Sequence, residues 1–80
     1  MTPFAVHAVG LAPGGEHAYD AAEWRDALVL VERGEVELEC AGGSHERFTA
    51  GDVIALAGLP LRTLRNRGTE PALLVAVSRR

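Results

Sequence analysis

The chain has 80 residues, 8 Lys+Arg against 11 Asp+Glu, a formal net charge of −3 and one cysteine. A mildly acidic chain without a basic cluster excludes nucleic acid and anionic membrane surfaces as main partners, since both recruit clustered Lys and Arg. One cysteine excludes an intrachain disulfide, and no apolar run approaches the ~20 residues of a membrane-spanning helix.

This length predicts one domain over residues 1–80, with a small core: such a chain buries only roughly 60% of the surface its unfolded form exposes. The N-terminal stretch lacks a basic leader region and is interrupted by His7, Gly10 and Pro13. The expectation is a cytoplasmic domain without a signal peptide.

In chain order, Phe4 to Val9 predicts a strand and Leu11 to Gly15 a loop. Asp20 to Arg25 can host a helical turn, too short to stand alone. Ala27 to Glu32 predicts a second strand. Arg33-Gly34 then reads as a tight hairpin turn, with glycine supplying positive φ, into the strand Glu35 to Cys40. In that strand Val36, Leu38 and Cys40 share one face and Glu35, Glu37 and Glu39 the other, the pattern of a strand with one wet side. Ala41 to Ser44 is a turn, His45 to Phe48 a short strand, Ala50 to Asp52 a turn, and Val53 to Leu56 a strand. After Gly58 and Pro60, the run Leu61 to Asn66 alternates, with Arg62 and Leu64 on one face and Arg65 on the other. Asn66 to Pro71 is a loop and Ala72 to Ser78 the last strand. Short strands at this spacing with glycine turns predict an all-β sandwich or barrel.

Ala27 to Val31 and Ala72 to Val77 are apolar on both faces. One face can meet a barrel interior, and the other needs cover, since an exposed stretch such as ALLVAV invites aggregation. The expected cover is a second copy in a homodimer.

The glycine spacing has a parallel. From Gly51 to Asn66 the chain can be laid without a gap on G-x5-P-x-G-x2-H-x3-N, the second motif of the cupins. The ends, Gly51-Asp52 and Asn66, match, while Ala57, Leu59 and Arg62 stand at the Pro, Gly and His positions. The first cupin motif ends in E-x6-G: Gly34 matches the glycine, and Ala27 stands at the glutamate. The upstream H-x-H falls on Ala21 and Glu23, or on Asp20 and Ala22, with His17-Ala18-Tyr19 the nearest remnant. Over about residues 15–78 the chain thus resembles a small single-domain cupin. The resemblance implies an all-β, jelly-roll type β-barrel of Greek-key antiparallel strands. It implies no single activity, because the family spans metal enzymes, sugar-binding and non-enzymatic domains.

A typical cupin metal site has three histidines and a glutamate. With Ala27 and Arg62 at two of those positions, the expectation is no metal and no other cofactor, since guanidinium has no lone pair to donate and stays cationic. The rival metal set would recruit His17 with Glu23 or Asp20 and one of the other histidines. The alignment points Arg62 into the barrel, where a charge must be paired or face water. Three readings stand there: an internal ion pair with Asp20, Glu23 or Asp26; a clamp for a ligand carboxylate or phosphate; or a one-residue register slip that exchanges Arg62 with Arg65. Tyr19 and Trp24 either pack over the barrel mouth or dimer interface, or form an aromatic wall for a ligand. His17 is structural or a general acid-base. His7 and His45 read as surface or packing residues, Cys40 as a small apolar core residue, and Asn66 as a turn residue satisfying backbone groups. The function expected is metal-free binding of a small molecule by Arg62, Tyr19, Trp24, His17 and Glu23, with Arg62 available to clamp an anionic group. The alternatives are a small cupin enzyme of isomerase or cyclase type, or with an unusual metal site, and a structural or regulatory dimer with a filled barrel.

Overall fold

The computed structural model describes residues 4–18, 20, 24, 27–55 and 61–79. Among them are eight strands: β1 (Phe4–Leu11), β2 (Glu16–Ala18), β3 (Leu28–Arg33), β4 (Glu35–Cys40), β5 (His45–Thr49), β6 (Val53–Ala55), β7 (Leu61–Arg65) and β8 (Ala72–Arg79). They form two four-stranded sheets, in the orders β1-β8-β3-β6 and β2-β7-β4-β5. All pairings are antiparallel, and they include β1 with β8, β2 with β7, β3 with β6 and β4 with β5. That nesting is one long hairpin rolled up on itself, the jelly roll.

Only the β4–β5 connection joins neighbours in one sheet; every other connection changes sheets. This corrects the hairpin expected at Arg33-Gly34, because β3 and β4 lie in different sheets. Two features turn the chain there. The β3–β8 register shifts between Val31 and Arg33, and bulges bend a strand. Gly34 then has φ +76°, and a Cβ on it would sit 2.7 Å from the Pro71 carbonyl oxygen, so only glycine fits this corner. Strand β2 lies where the sequence showed only the His17-Ala18-Tyr19 remnant. At 3 residues it is too short to reveal a period.

Between the sheets, alternation becomes packing. Val29, Val31, Ile54, Leu74 and Ala76 from the first sheet meet Val36, Leu38 and Leu64 from the second, each at most 3% exposed. Cys40 packs against this core, as its position beside Val36 and Leu38 implied.

The outer faces differ sharply. On the second sheet Arg65 lies beside Glu37, which faces Arg47, and Glu39 faces His45. On the first sheet two cross-strand rows carry no charge: Val6, Val77, Leu28 and Ala55; and Ala8, Val75, Leu30 and Val53. Val6 is 66% exposed, Val53 62% and Leu28 54%. Among the described residues no helix is long and apolar enough to cross a membrane.

Candidate functional site

At one end of the barrel the core is aromatic and polar. The Trp24 amide donates to the Asp20 carbonyl (3.1 Å) and the Ala27 amide to the Trp24 carbonyl (3.0 Å). Trp24 is 1% exposed. His7 of β1 approaches its ring at 5.2 Å between centroids, tilted by 56°. His17 of β2 approaches at 5.9 Å in an edge-to-face arrangement. The indole is therefore flanked by an imidazole from each sheet. His7 lies opposite Ala76 in the β1–β8 register, a small neighbour beside a large ring. Both Trp24 Nε1 and His7 Nε2 are buried without a hydrogen-bond partner among the described residues.

Of the residues expected at the site, the structure brings Trp24 and His17 into contact and adds His7, which the sequence reading had assigned to surface or packing. The signal for His7 was available in the period of β1: Ala5, His7, Val9 and Leu11 alternate with the exposed Phe4, Val6, Ala8 and Gly10. Tyr19 and Glu23 lie outside the described residues, as does Asp26.

Arg62 is exposed. Along β4 and β7 the register runs from Glu39 opposite Thr63 to Cys40 opposite Leu61, so Arg62 is the extra residue of a β-bulge. A bulge re-aims the side chain it carries, and the guanidinium is thereby kept out of the barrel core. No carboxylate among the described residues pairs with it; the Asp20 reading of the internal ion pair is not realised, and Glu23 and Asp26 lie outside those residues. The register slip is excluded as well. Leu64 is fully buried, and Arg65 faces the wet side, its Nη2–H donating to Glu16 Oε2 at 3.1 Å. That hydrogen bond and the charge of Glu16 raise the Arg65 pKa above its ordinary value. Arg62 remains at the rim of the His17 end, because His17 pairs with Leu64, two residues along the same strand.

Asn66 closes the opposite end of β7. Its Nδ2 donates to the Leu11 carbonyl (2.9 Å) and the Glu70 carbonyl (2.8 Å), and its Oδ1 accepts from the Gly68 amide (2.8 Å). Its own amide donates to the Gly15 carbonyl at 2.9 Å. This is the structural role expected of it. A cleft of about 350 Å³ lies at that end, bordered by Glu35, Thr49 and Glu70; sequence reasoning did not find it, because its lining comes from three separate turns.

On the outer face of the second sheet, Glu37 Oε1 accepts from Arg67 Nε–H (2.7 Å) and His45 Nδ1–H (3.1 Å). Partial burial works to raise the Glu37 pKa, but the hydrogen bonds and charges of Arg67 and His45 together hold it below the ordinary value. His45 belongs to this surface network rather than to the interior site.

The sequence matches no family model and no curated protein. Solved structures do match. A cupin 2 conserved barrel domain protein from Salinispora arenicola is 26% identical at a TM-score of 0.72, over 95% of this chain and 62% of that one. The fold is that of the cupin superfamily. A sugar phosphate isomerase of the cupin superfamily from Silicibacter pomeroyi is 26% identical at a TM-score of 0.76, covering 100% of this chain and 52% of that one. The cupin domain of an XRE-family transcriptional regulator from Enterobacter cloacae is 22% identical at 0.76, over 94% of this chain and 79% of that one. The chain thus spans about half to four-fifths of these cupins.

The residues described here do not fit a cupin metal. Ala27, at the glutamate position, is a buried methyl side chain. Arg62, at the last histidine position, has no lone pair to give. Among the described residues no group of three or more His, Cys, Asp or Glu side chains could hold an ion.

Proposed function

We propose that this cupin domain is a cytoplasmic small-molecule-binding module that works without a resident metal and takes an anionic group at Arg62. His17 and Trp24 are its further contacts, with Tyr19 and Glu23 assigned to it from their sequence positions. The observation that carries this reading is the buried Trp24 indole N–H, open among the described residues and flanked by two histidines. A barrel filled for stability alone leaves few such donors unsatisfied. Arg62 supports the anionic preference, because an exposed guanidinium with no carboxylate partner among the described residues keeps its fork of donors available.

The domain acts as a homodimer in this reading. It rests on the two charge-free rows of the outer face of the β1-β8-β3-β6 sheet, since an isologous interface sets one patch against its own copy. Ligand binding is tested by thermal unfolding with small carboxylates and inorganic phosphate. A concentration-dependent rise in Tm following RT ln(1 + [L]/Kd) is expected, and it is lost in Arg62→Met. No rise with any of them would sink the reading.

A second reading, a metal-free isomerase, is favoured by the likeness to the sugar phosphate isomerase and by two imidazoles flanking one ring, since His7 and His17 could act as an acid-base pair. It requires turnover of a sugar phosphate that disappears in His17→Gln.

A further inference from the structure

We infer that His7 Nε2 and Trp24 Nε1 together form a seat for the carboxylate of a small apolar acid, inside the barrel end that Arg62 borders. The inference rests on the small-molecule reading above and names the ligand group and the residues that hold it. Two facing sheets bring the pair together: His7 projects from β1, and Trp24 lies between it and His17 of β2. Both nitrogens are buried and without partners among the described residues, so neither satisfies the other although the rings are neighbours. Native folds seldom leave two such atoms side by side, and a bound molecule is one of the few explanations.

The chemistry of the pair narrows that molecule. An indole N–H can only donate, so the ligand must present an acceptor to it. The imidazole presents an N–H at Nε2 in one tautomer and in its charged form. Two unsatisfied donors on neighbouring rings suit a group with two acceptor oxygens, and hydrogen bonds to a charged acceptor such as a carboxylate are the stronger kind. The surroundings choose the rest of the ligand. Val9 lies two residues along β1 on the same face as His7, Ala76 lies across from it, and Val29 lies across from Ala76. These apolar neighbours suit a short hydrocarbon tail and disfavour a phosphate, whose further oxygens would find no donors among them.

The chain's only tryptophan gives one indole cross-peak, which makes the seat directly readable in the ¹⁵N-labelled protein. Titration with propionate and benzoate should move that peak saturably, with propionamide and benzamide binding at least tenfold more weakly. His7→Phe keeps an aromatic ring against Trp24 and deletes the nitrogen; it should weaken carboxylate binding by ~10-fold or more, the equivalent of one charged hydrogen bond. His7→Gln, which keeps a donor, should retain binding within a few-fold, and it serves should His7→Phe fail to fold. Equal binding of the amides overturns the anion assignment. Carboxylates that raise Tm through Arg62 while leaving the indole peak and the His7 variants unchanged would overturn the seat and leave the wider binding reading standing. No response to any acid, in Tm or in the indole peak, overturns both.

Discussion

Removing the Asn66 side chain should be among the most damaging single changes in this fold. Asn66→Ala deletes three hydrogen bonds of 2.8–2.9 Å and leaves the Leu11 and Glu70 carbonyls and the Gly68 amide without their partner. The side chain is wholly buried, and the Leu11 bond lies in the core. An unsatisfied buried group costs about 1–3 kcal/mol. Water can reach the part-buried Glu70 and Gly68 groups, so the sum is ~3–5 kcal/mol. A domain of 80 residues has about 4–12 kcal/mol in total at ordinary per-residue stability. At roughly 4–8 °C per kcal/mol for a domain of this size, Tm should fall by at least ~12 °C, measured by circular dichroism at fixed protein concentration. Asn66→Asp has the same shape and aims carboxylate lone pairs at two carbonyls. It should be at least as damaging at pH 7, and it should recover partly in acid, where a protonated carboxyl can donate one bond. A fall of less than ~4 °C for Asn66→Ala, equivalent to under about 1 kcal/mol, would refute the idea that this one side chain ties the β1–β2 and β7–β8 loops together.

Four further outcomes are expected. Chelator should leave Tm unchanged, and metal analysis of untagged protein should find substoichiometric metal; a stoichiometric transition metal that stabilises the fold would overturn the metal-free reading. Sedimentation should give twice the 8.5 kDa chain mass at micromolar concentration, and Val6→Glu or Leu28→Glu should dissociate the dimer, whereas Leu74→Glu should unfold the chain because Leu74 is fully buried; a monomeric wild type would sink the interface. Arg62→Met should change stability by no more than about 0.5 kcal/mol, as for an exposed surface residue, while abolishing the anion-dependent rise in Tm, and Arg65→Met should leave that rise intact; the opposite pattern would assign the clamp to the wrong arginine. Glu37 has a folded-state pKa below its ordinary value of 4.5, so its contribution is present above that value and is lost as pH falls through the lower, folded-state one; Glu37→Gln should flatten the acid limb of Tm against pH, and an unchanged limb would show that its partners do not matter in solution.

Local chemistry in the sequence was enough for most of the strands, for their inward faces and for the role of Asn66. A period of two survives wherever one face is wet, so Val36, Leu38 and Leu64 declare themselves, and so does the carboxylate face of β4. The same pattern on both faces of Ala72 to Val77 marks a surface that one small barrel leaves uncovered. Tertiary structure decided what local patterns cannot encode. Gly34 signals a turn but not its direction; a bulge and the close approach of Pro71 make it a corner between sheets instead of a hairpin. Arg62 sits on the inward parity of its strand, and a single extra residue against β4 exposes it. His7 is an isolated histidine in an apolar stretch until two sheets fold over Trp24 and leave both rings with an open nitrogen. Parity is a property of neighbouring residues and can be read along the chain, whereas the register between strands and the meeting of side chains from opposite sheets exist only once distant segments pack.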